Sequence, residues 1–242
     1  DSPIELLFER AMDVGELVED GVADLGVTGV DMIRERAAPV DSVLVIGFGR
    51  WAIIAAVPDG TPVQTIEELD GQRVAASHPA TVAGFFEGKG ISVTTVPLAG
   101  SVEVAPKLDI ADAVADLVST GSTMMVNGLR PVETLLDSQA VLVERTGSER
   151  TSTAATVVTM LSSAMTARRK RYLVMNAPED RVERIAELIP GMEAPTVVPL
   201  TEAGMVAIHS VVDGADVWHV LPKLQAAGAS GILVLPVQQV LA

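Results

Sequence analysis

One pattern constrains this 242-residue chain more than any other: short apolar runs of strand length alternate with helix-like stretches. Strand character is read at 4–9, 22–27, 44–46, 52–56, 73–76, 93–97 and 113–118. Between these runs, helical spacing follows Asp13 and continues at 65–69, 80–88 and 102–108, then from Met124 onward. Asp13 with Glu16 three residues later reads as a capping box, and Gly21 ends that helix. Strands alternating with helices predict an open, mainly parallel sheet with helices on both faces. The cluster Pro58-Asp59-Gly60-Thr61-Pro62 reads as a turn and a crossing between lobes.

The tail changes rhythm. A helix and linker at 152–171 lead to a strand at 172–176 and a helix at 178–189. Strands follow at 195–200 and 206–212, then a helix at 215–227 and a last strand at 231–237. Pro178 suits a first helical turn, and Gly228 suits a helix end. The order β-α-β-β-α-β is the ferredoxin-like pattern. The dense basic run Arg168-Arg169-Lys170-Arg171 reads either as cations at a helix C-terminus or as an anion or subunit contact.

Composition removes several function classes. There is no cysteine, which excludes a disulfide framework, a thiolate metal site and a cysteine nucleophile. Three histidines, His78, His209 and His219, lack paired-ligand spacing. With two Trp, one Tyr and four Phe, the core must be aliphatic. A net charge of −15 argues against a non-specific nucleic-acid surface. It leaves room for anionic small ligands held by local backbone N–H groups and a metal ion. No apolar run approaches a membrane span, and Asp1 opens a polar segment without a basic or apolar leader, so a soluble, cytoplasmic protein is expected.

The stretch richest in chemistry is the apolar run 113–118, which feeds Ser119-Thr120-Gly121-Ser122-Thr123 and then a helix. A small-residue turn between a strand's C-terminal end and a helix is an anion cradle: glycine admits the ligand, hydroxyls donate, and free N–H groups face it. In open α/β sheets ligands bind along that edge. No Gly-Lys-Ser/Thr follows, so this is not a Walker loop. On these residues alone, plain turn chemistry is an equal reading. Asp116 near the strand end and Glu103 on the preceding helix are carboxylates beside a phosphate site, where they suit sugar hydroxyls or Mg²⁺. A second loop, Asp24-Leu25-Gly26-Val27-Thr28-Gly29-Val30-Asp31, ends a strand in Thr-Gly with an acid after it. Two such loops from two lobes suggest a cleft between them.

These motifs, with Gly100-Ser-Val-Glu-Val-Ala-Pro106, 108–123, 190–196 and 228–236, resemble the long-form ATP phosphoribosyltransferases of histidine biosynthesis. The resemblance covers essentially the whole chain. It implies an α/β fold: a two-lobed catalytic unit like periplasmic binding proteins, plus a C-terminal ferredoxin-like (ACT-like) α+β regulatory domain. The expected boundaries are 1–57 with 143–168 for lobe I, 58–142 for lobe II and 169–242 for the regulatory domain. The implied reaction moves a phosphoribosyl group from phosphoribosyl pyrophosphate (PRPP) to N1 of ATP, with Mg²⁺, and is inhibited by histidine. By resemblance, Ser119, Thr120, Gly121, Ser122 and Thr123 hold the PRPP phosphate. Glu103 and Asp116 meet the ribose or Mg²⁺. Asp24, Thr28, Gly29, Asp31 and His78 line the ATP cleft, and Met192, Thr196 and Gly231 bind histidine. No residue is assigned as acid or base. A homo-oligomer, dimer or hexamer, is implied, with no nucleic-acid or membrane partner.

Four departures stand out. The family's first strand and Lys-Gly-Arg-type loop have no counterpart, so the chain is expected to begin roughly 40 residues downstream of the family start. His78 stands where a Tyr is usual, Ala52 replaces an Arg while Arg50 sits nearby, and Asp109 stands where Gly is commoner. Two other readings are open: a non-catalytic two-lobed binder of phosphorylated ligands, and a catalytically silent regulatory subunit.

Overall fold

The computed structural model describes residues 4–119, 122–189 and 194–241. The chain divides into two compact units, Asp1–Ala155 and Thr156–Ala242.

The first unit holds two sheets. β1 (Gly26–Gly29), β2 (Val40–Val45) and β8 (Ala140–Arg145) form a three-stranded antiparallel sheet in the order β1-β8-β2. The helices α1 (Val14–Glu19) and α2 (Val30–Arg36) belong to this lobe: Val18 packs with Val141 and Val143, and Val30 and Ile33 close over them. The second sheet has the order β5-β4-β6-β3-β7. It comprises β3 (Trp51–Pro58), β4 (Arg73–Ala76), β5 (Thr94–Pro97), β6 (Ala113–Val118) and β7 (Leu129–Ser138). The pairs β4–β5 and β4–β6 are parallel, whereas β3 runs antiparallel to β6 and β7.

The central strands of this second sheet are buried on both faces, which is why they read as continuous apolar runs. Ile53, Val74, Ala113 and Ala115 face Val82 and Phe86 of α3 (Pro79–Gly88). Ala56, Ala75 and Val114 face Val102, Ala105 and Met124 on the other side. Met124 belongs to α4 (Ser122–Val126).

The second unit is a four-stranded antiparallel sheet in the order β10-β11-β9-β12. Its strands are β9 (Lys170–Pro178), β10 (Thr196–Pro199), β11 (Met205–Asp213) and β12 (Ser230–Pro236). The helices α6 (Val182–Leu188) and α7 (Val217–Ala226) cover one face, where Ile185, Val220 and Leu224 meet Leu173, Met175 and Ile208. Connectivity and strand order are those of a ferredoxin-like α+β domain. The helix α5 (Ser152–Arg168) spans the division between the units. At its end Arg171 donates to the carbonyls of Arg168 and Lys170, the cation-at-C-terminus arrangement.

Several expectations change. The sheet is mixed rather than mainly parallel, because 129–145 forms two strands, β7 and β8, that turn the chain back antiparallel. Residues 4–9 form no strand: among the described residues nothing pairs with them, and Leu6 and Phe8 are exposed. The strand read at 22–27 starts at Gly26, since the Val22 and Ala23 N–H groups both donate to the Leu17 carbonyl and finish α1. Asp13 makes no side-chain cap, because it sits in the preceding turn with helical backbone angles. Pro106 has no N–H to continue a helix from Val102, so 102–108 becomes two 3-10 turns. The segment read as a helix at 178–189 opens as a 3-10 turn before α6. Trp51–Pro58, placed with the first lobe from sequence, is a central strand of the second sheet. The chain therefore crosses between lobes at 46–50 and returns at Gln139, while the 58–62 cluster is a local turn.

Candidate functional site

Strand direction brings the chemistry to one edge. β4 and β6 are parallel, and β3 is antiparallel to both β6 and β7. The ends of β4, β6 and β7 and the start of β3 therefore lie together, at the edge where the chain crosses to the first lobe. Gly47 and Gly49, at φ 78° and 61°, make the crossing turn. Gly49 also lies so close to Trp51 that a Cβ there would sit 2.9 Å from the indole ring.

A cleft of about 690 Å³ opens at this edge. Arg50, Trp51, Ile54, Val118, Ser119 and Ser138 are among the residues lining it. Ser119, the first residue of the expected phosphate loop, is thus on the cleft wall. Thr120 and Gly121 lie outside the described residues. Ser122 opens α4, and Thr123 is exposed, its carbonyl accepting from the Asn127 amide.

Asp116 pairs with Ile54 across the sheet, and Val118 pairs with Ala52. Paired residues share a face, so Asp116 projects from the face that Ile54 and Val118 present to the cleft. Its Oδ1 accepts the N–H of Leu117 at 2.8 Å, leaving the second oxygen available. The turn carrying Glu103 packs on this same face through Val102 and Ala105. Among the described residues no three His, Cys, Asp or Glu side chains converge on a metal position. Mg²⁺ usually takes only one or two protein carboxylates, with substrate oxygens and water completing the shell.

Asp31 and His78 are buried rather than exposed to the cleft, at 1% and 5%. Asp31 opens α2, and its Oδ1 accepts from Ser138 Oγ at 2.5 Å, while the Asp31 N–H donates back to that Oγ at 3.1 Å. His78 Nε2 stands 3.4 Å from Asp31 Oδ2, and its Nδ1 is 2.9 Å from Ser77 Oγ. His78 Nε2 and Trp51 Nε1 reach no partner in ordinary hydrogen-bond geometry, so their pull on the carboxylate is looser than that of Ser138. Burial alone raises the Asp31 carboxyl. The polar groups of His78, Ser138 and Trp51 outweigh it and bring the pKa down to about 2. These contacts favour the Asp31 anion, and Ser138, which it holds, is on the cleft wall.

The other expected residues are dispersed. Gly29 precedes Asp31, and a Cβ there would fall 2.1 Å from Asp31 Oδ1, so only glycine admits the folded-back carboxylate. The Thr28 hydroxyl donates to the Ala11 carbonyl at 2.6 Å, a structural tie. Asp24 is exposed before β1, at the opposite end of that strand from Asp31. In the second unit, Thr196 and Gly231 sit on the two opposite edge strands, about 14 Å apart across three strand spacings. Met192 lies outside the described residues.

Sequence reasoning gives no cleft role to Trp51, Asp137, Ser138 or Gln139; for Asp137 and Ser138 the reason is that β7 is not recognisable as a strand. That segment mixes charged and apolar positions and is broken by two register shifts, so no clean period of two marks it.

Comparison with known proteins accounts for this arrangement. Residues 10–166 match the family described as "ATP phosphoribosyltransferase", and residues 167–239 match "HisG, C-terminal domain". The chain belongs to the ATP phosphoribosyltransferase family. An ATP phosphoribosyltransferase of Methanocaldococcus jannaschii is 39% identical over 100% of this chain and 86% of its own length. That of Methanosarcina barkeri is 36% identical with the same coverage. A solved structure, the ATP phosphoribosyl transferase (HisG:HisZ) complex from Thermotoga maritima, is 28% identical, with a TM-score of 0.56. The match covers 64% of this chain and 74% of that one. Membership makes the chain a phosphoribosyltransferase, a glycosyltransferase-class enzyme of histidine biosynthesis in its long form, and the reading as a non-catalytic binder is not favoured. Among the described residues no helix is long and apolar enough to cross a membrane.

Proposed function

We propose that the cleft at the strand ends transfers phosphoribosyl from PRPP to N1 of ATP. The observation that carries this is that Ser119, the first residue of the anion loop, lines the cleft, and that the cleft residues Ile54 and Val118 share their sheet face with Asp116. The bond from the anomeric carbon to pyrophosphate breaks, and its electron pair leaves with pyrophosphate. The N1 lone pair forms the new C–N bond. Since N1 is already a nucleophile, alignment and charge neutralisation do most of the work.

In this reading residues 119–123 hold the 5′-phosphate through hydroxyls and backbone N–H groups. Asp116 and Glu103 accept ribose hydroxyls or a Mg²⁺ ligand position, and their charge favours the cationic sugar. Mg²⁺, when bound with PRPP, supplies charge neutralisation for the departing pyrophosphate. Arg50, exposed on the cleft wall, adds a donor for phosphate oxygens. Trp51, Ile54 and Val118 keep water from the anomeric centre. Asp31 and His78 act from below the surface, and Asp24 and Thr28 take no part in contacting substrate.

The C-terminal domain is the proposed seat of histidine inhibition, in a cytoplasmic homo-oligomer. Thr196 and Gly231 are too far apart in one domain for a single amino acid to touch both, so any site using both draws on more than one copy. Calorimetry with PRPP and Mg²⁺ at fixed salt tests the cleft. Folded wild-type chain binds and turns over ATP, and the double variant Asp116→Asn/Ser119→Ala loses most of that affinity. Equal binding by both proteins sinks the assignment.

A further inference from the structure

The two lobes of the first unit are joined by more than their crossing strands. α2 belongs to the first lobe, where Val30 and Ile33 pack on the β8 valines. Yet its two carboxylates at i and i+4, Asp31 and Glu35, both reach the second lobe. Asp31 takes Ser138 at the end of β7 and faces His78 at the start of α3. Glu35, one turn on, takes the start of α3 itself: Oε1 accepts from the Ala80 N–H at 3.0 Å. Its Oε2 accepts from the Thr81 N–H and the Thr81 hydroxyl, both at 2.9 Å. α3 is anchored to the second sheet through Val82 and Phe86. Three charge-assisted hydrogen bonds from Glu35 and the buried Asp31 cluster thus tie one lobe to the other beside the cleft.

We propose that α2 is a two-carboxylate strap that fixes the angle between the lobes, with Glu35 and Asp31 as positioning residues for the transfer reaction. Neither carboxylate is free to touch substrate: both oxygens of each face protein partners. What they control is the alignment of the walls. Ser138, which lines the cleft from the second lobe, rests on Asp31, and α3 is held at the angle Glu35 dictates. In-line attack needs the two substrates placed to within about an ångström. Loosening the strap therefore slows the chemical step while leaving the phosphate-binding loop, to which no hydrogen bond of α2 runs among the described residues, able to hold PRPP. What the cleft catalyses is taken from the phosphoribosyltransferase reading; the strap itself is read from the lobe contacts and can be tested apart from activity.

Glu35→Ala is the informative variant, because Glu35 is only half-buried and its loss leaves the Asp31 cluster in place. The chain has no cysteine, so Asp20→Cys and Glu87→Cys, exposed sites in the first and second lobes, give a clean spin-label pair. The distance distribution between them is expected to be narrow with Glu35 present and to broaden or shift by several ångströms in Glu35→Ala. In unlabelled protein kcat is expected to fall by at least about tenfold, with the PRPP Kd within about threefold of wild type. Glu35→Gln, which keeps length and one acceptor, is expected to recover part of kcat. Glu19→Gln on α1, an exposed position, serves as the surface-charge control. An unchanged distance distribution in folded Glu35→Ala overturns the strap. So does a kcat within twofold of wild type, or a loss of PRPP affinity matching the loss of kcat. If wild-type chain neither binds PRPP nor turns over, the functional reading fails, and the distance measurement still decides the strap.

Discussion

Asp31 is where the largest residue-scale effects concentrate, because a carboxylate 1% exposed must be satisfied from within. Gly29→Ala would drive a methyl to 2.1 Å from its Oδ1. The carboxylate must then leave Ser138, and the expected cost is about 2–3 kcal/mol, read from the urea midpoint at constant m-value. Acid separates the charge from the shape of the group. The folded pKa of about 2 lies below the ordinary 3.8. The stabilisation is therefore complete above the unfolded value and disappears as pH falls through the folded one. A shift of this size is worth about 2 kcal/mol. The stability gap between wild type and Asp31→Asn should narrow by about that amount between pH 5 and pH 2, in a series of urea titrations; a constant gap would mean the anion contributes nothing. Sequence alone marks Asp31 as functional because an acid follows a Thr-Gly turn. It cannot reveal that the acid folds inward, since its partners Ser138 and His78 are 107 and 47 positions away.

Most elements with continuous apolar content are legible, β8 excepted, and β7, with mixed content, is not. β4 and β6 fall where they were read, because Val74, Ala75, Val114 and Ala115 have no polar residue among them and are buried on both faces. β7 carries Arg130, Glu133 and Asp137 among its apolar positions, and without it the antiparallel half of the sheet and one wall of the cleft went unread. The turn before β6 shows how a local departure is absorbed. Asp109 has φ 55°, a left-handed conformation that glycine adopts freely and Asp tolerates. Arg73 takes its carbonyl and carboxylate at 2.8 and 2.9 Å and also forks onto Asp112. Asp109→Gly relieves the backbone but frees the unfolded chain, and it loses only an exposed ion pair. The expected change is within about 0.5 kcal/mol. Asp109→Val keeps the strain, adds β-branching and loses the pair, and should cost about 1–2 kcal/mol. Thermal melts of the two variants side by side test this: equal melting temperatures would mean the left-handed turn carries no strain.

At the scale of the whole molecule, the decisive question is where one folding unit ends and the next begins. The sequence pattern puts the regulatory domain at 169, just before its first strand, whereas the compact second unit starts at Thr156 and takes in most of α5. The C-terminal tail explains part of this: the Val240 N–H donates to the Ser163 carbonyl on α5, so the end of the chain leans on a helix that precedes the domain's sheet. The four-stranded sheet with α6 and α7 has its own aliphatic core, built on Leu173, Met175, Ile185, Ile208 and Leu224, all fully buried. A domain of this size is only marginally stable, so a helix more or less matters. A fragment covering 152–242 is expected to unfold cooperatively in urea. A fragment covering 169–242 should retain the same sheet signature but lie about 1–2 kcal/mol lower, having lost the α5–tail contact. If the two fragments share one midpoint, α5 contributes nothing to the second unit and the boundary belongs at 169. If only the longer fragment folds, the helix is an obligatory part of the C-terminal domain.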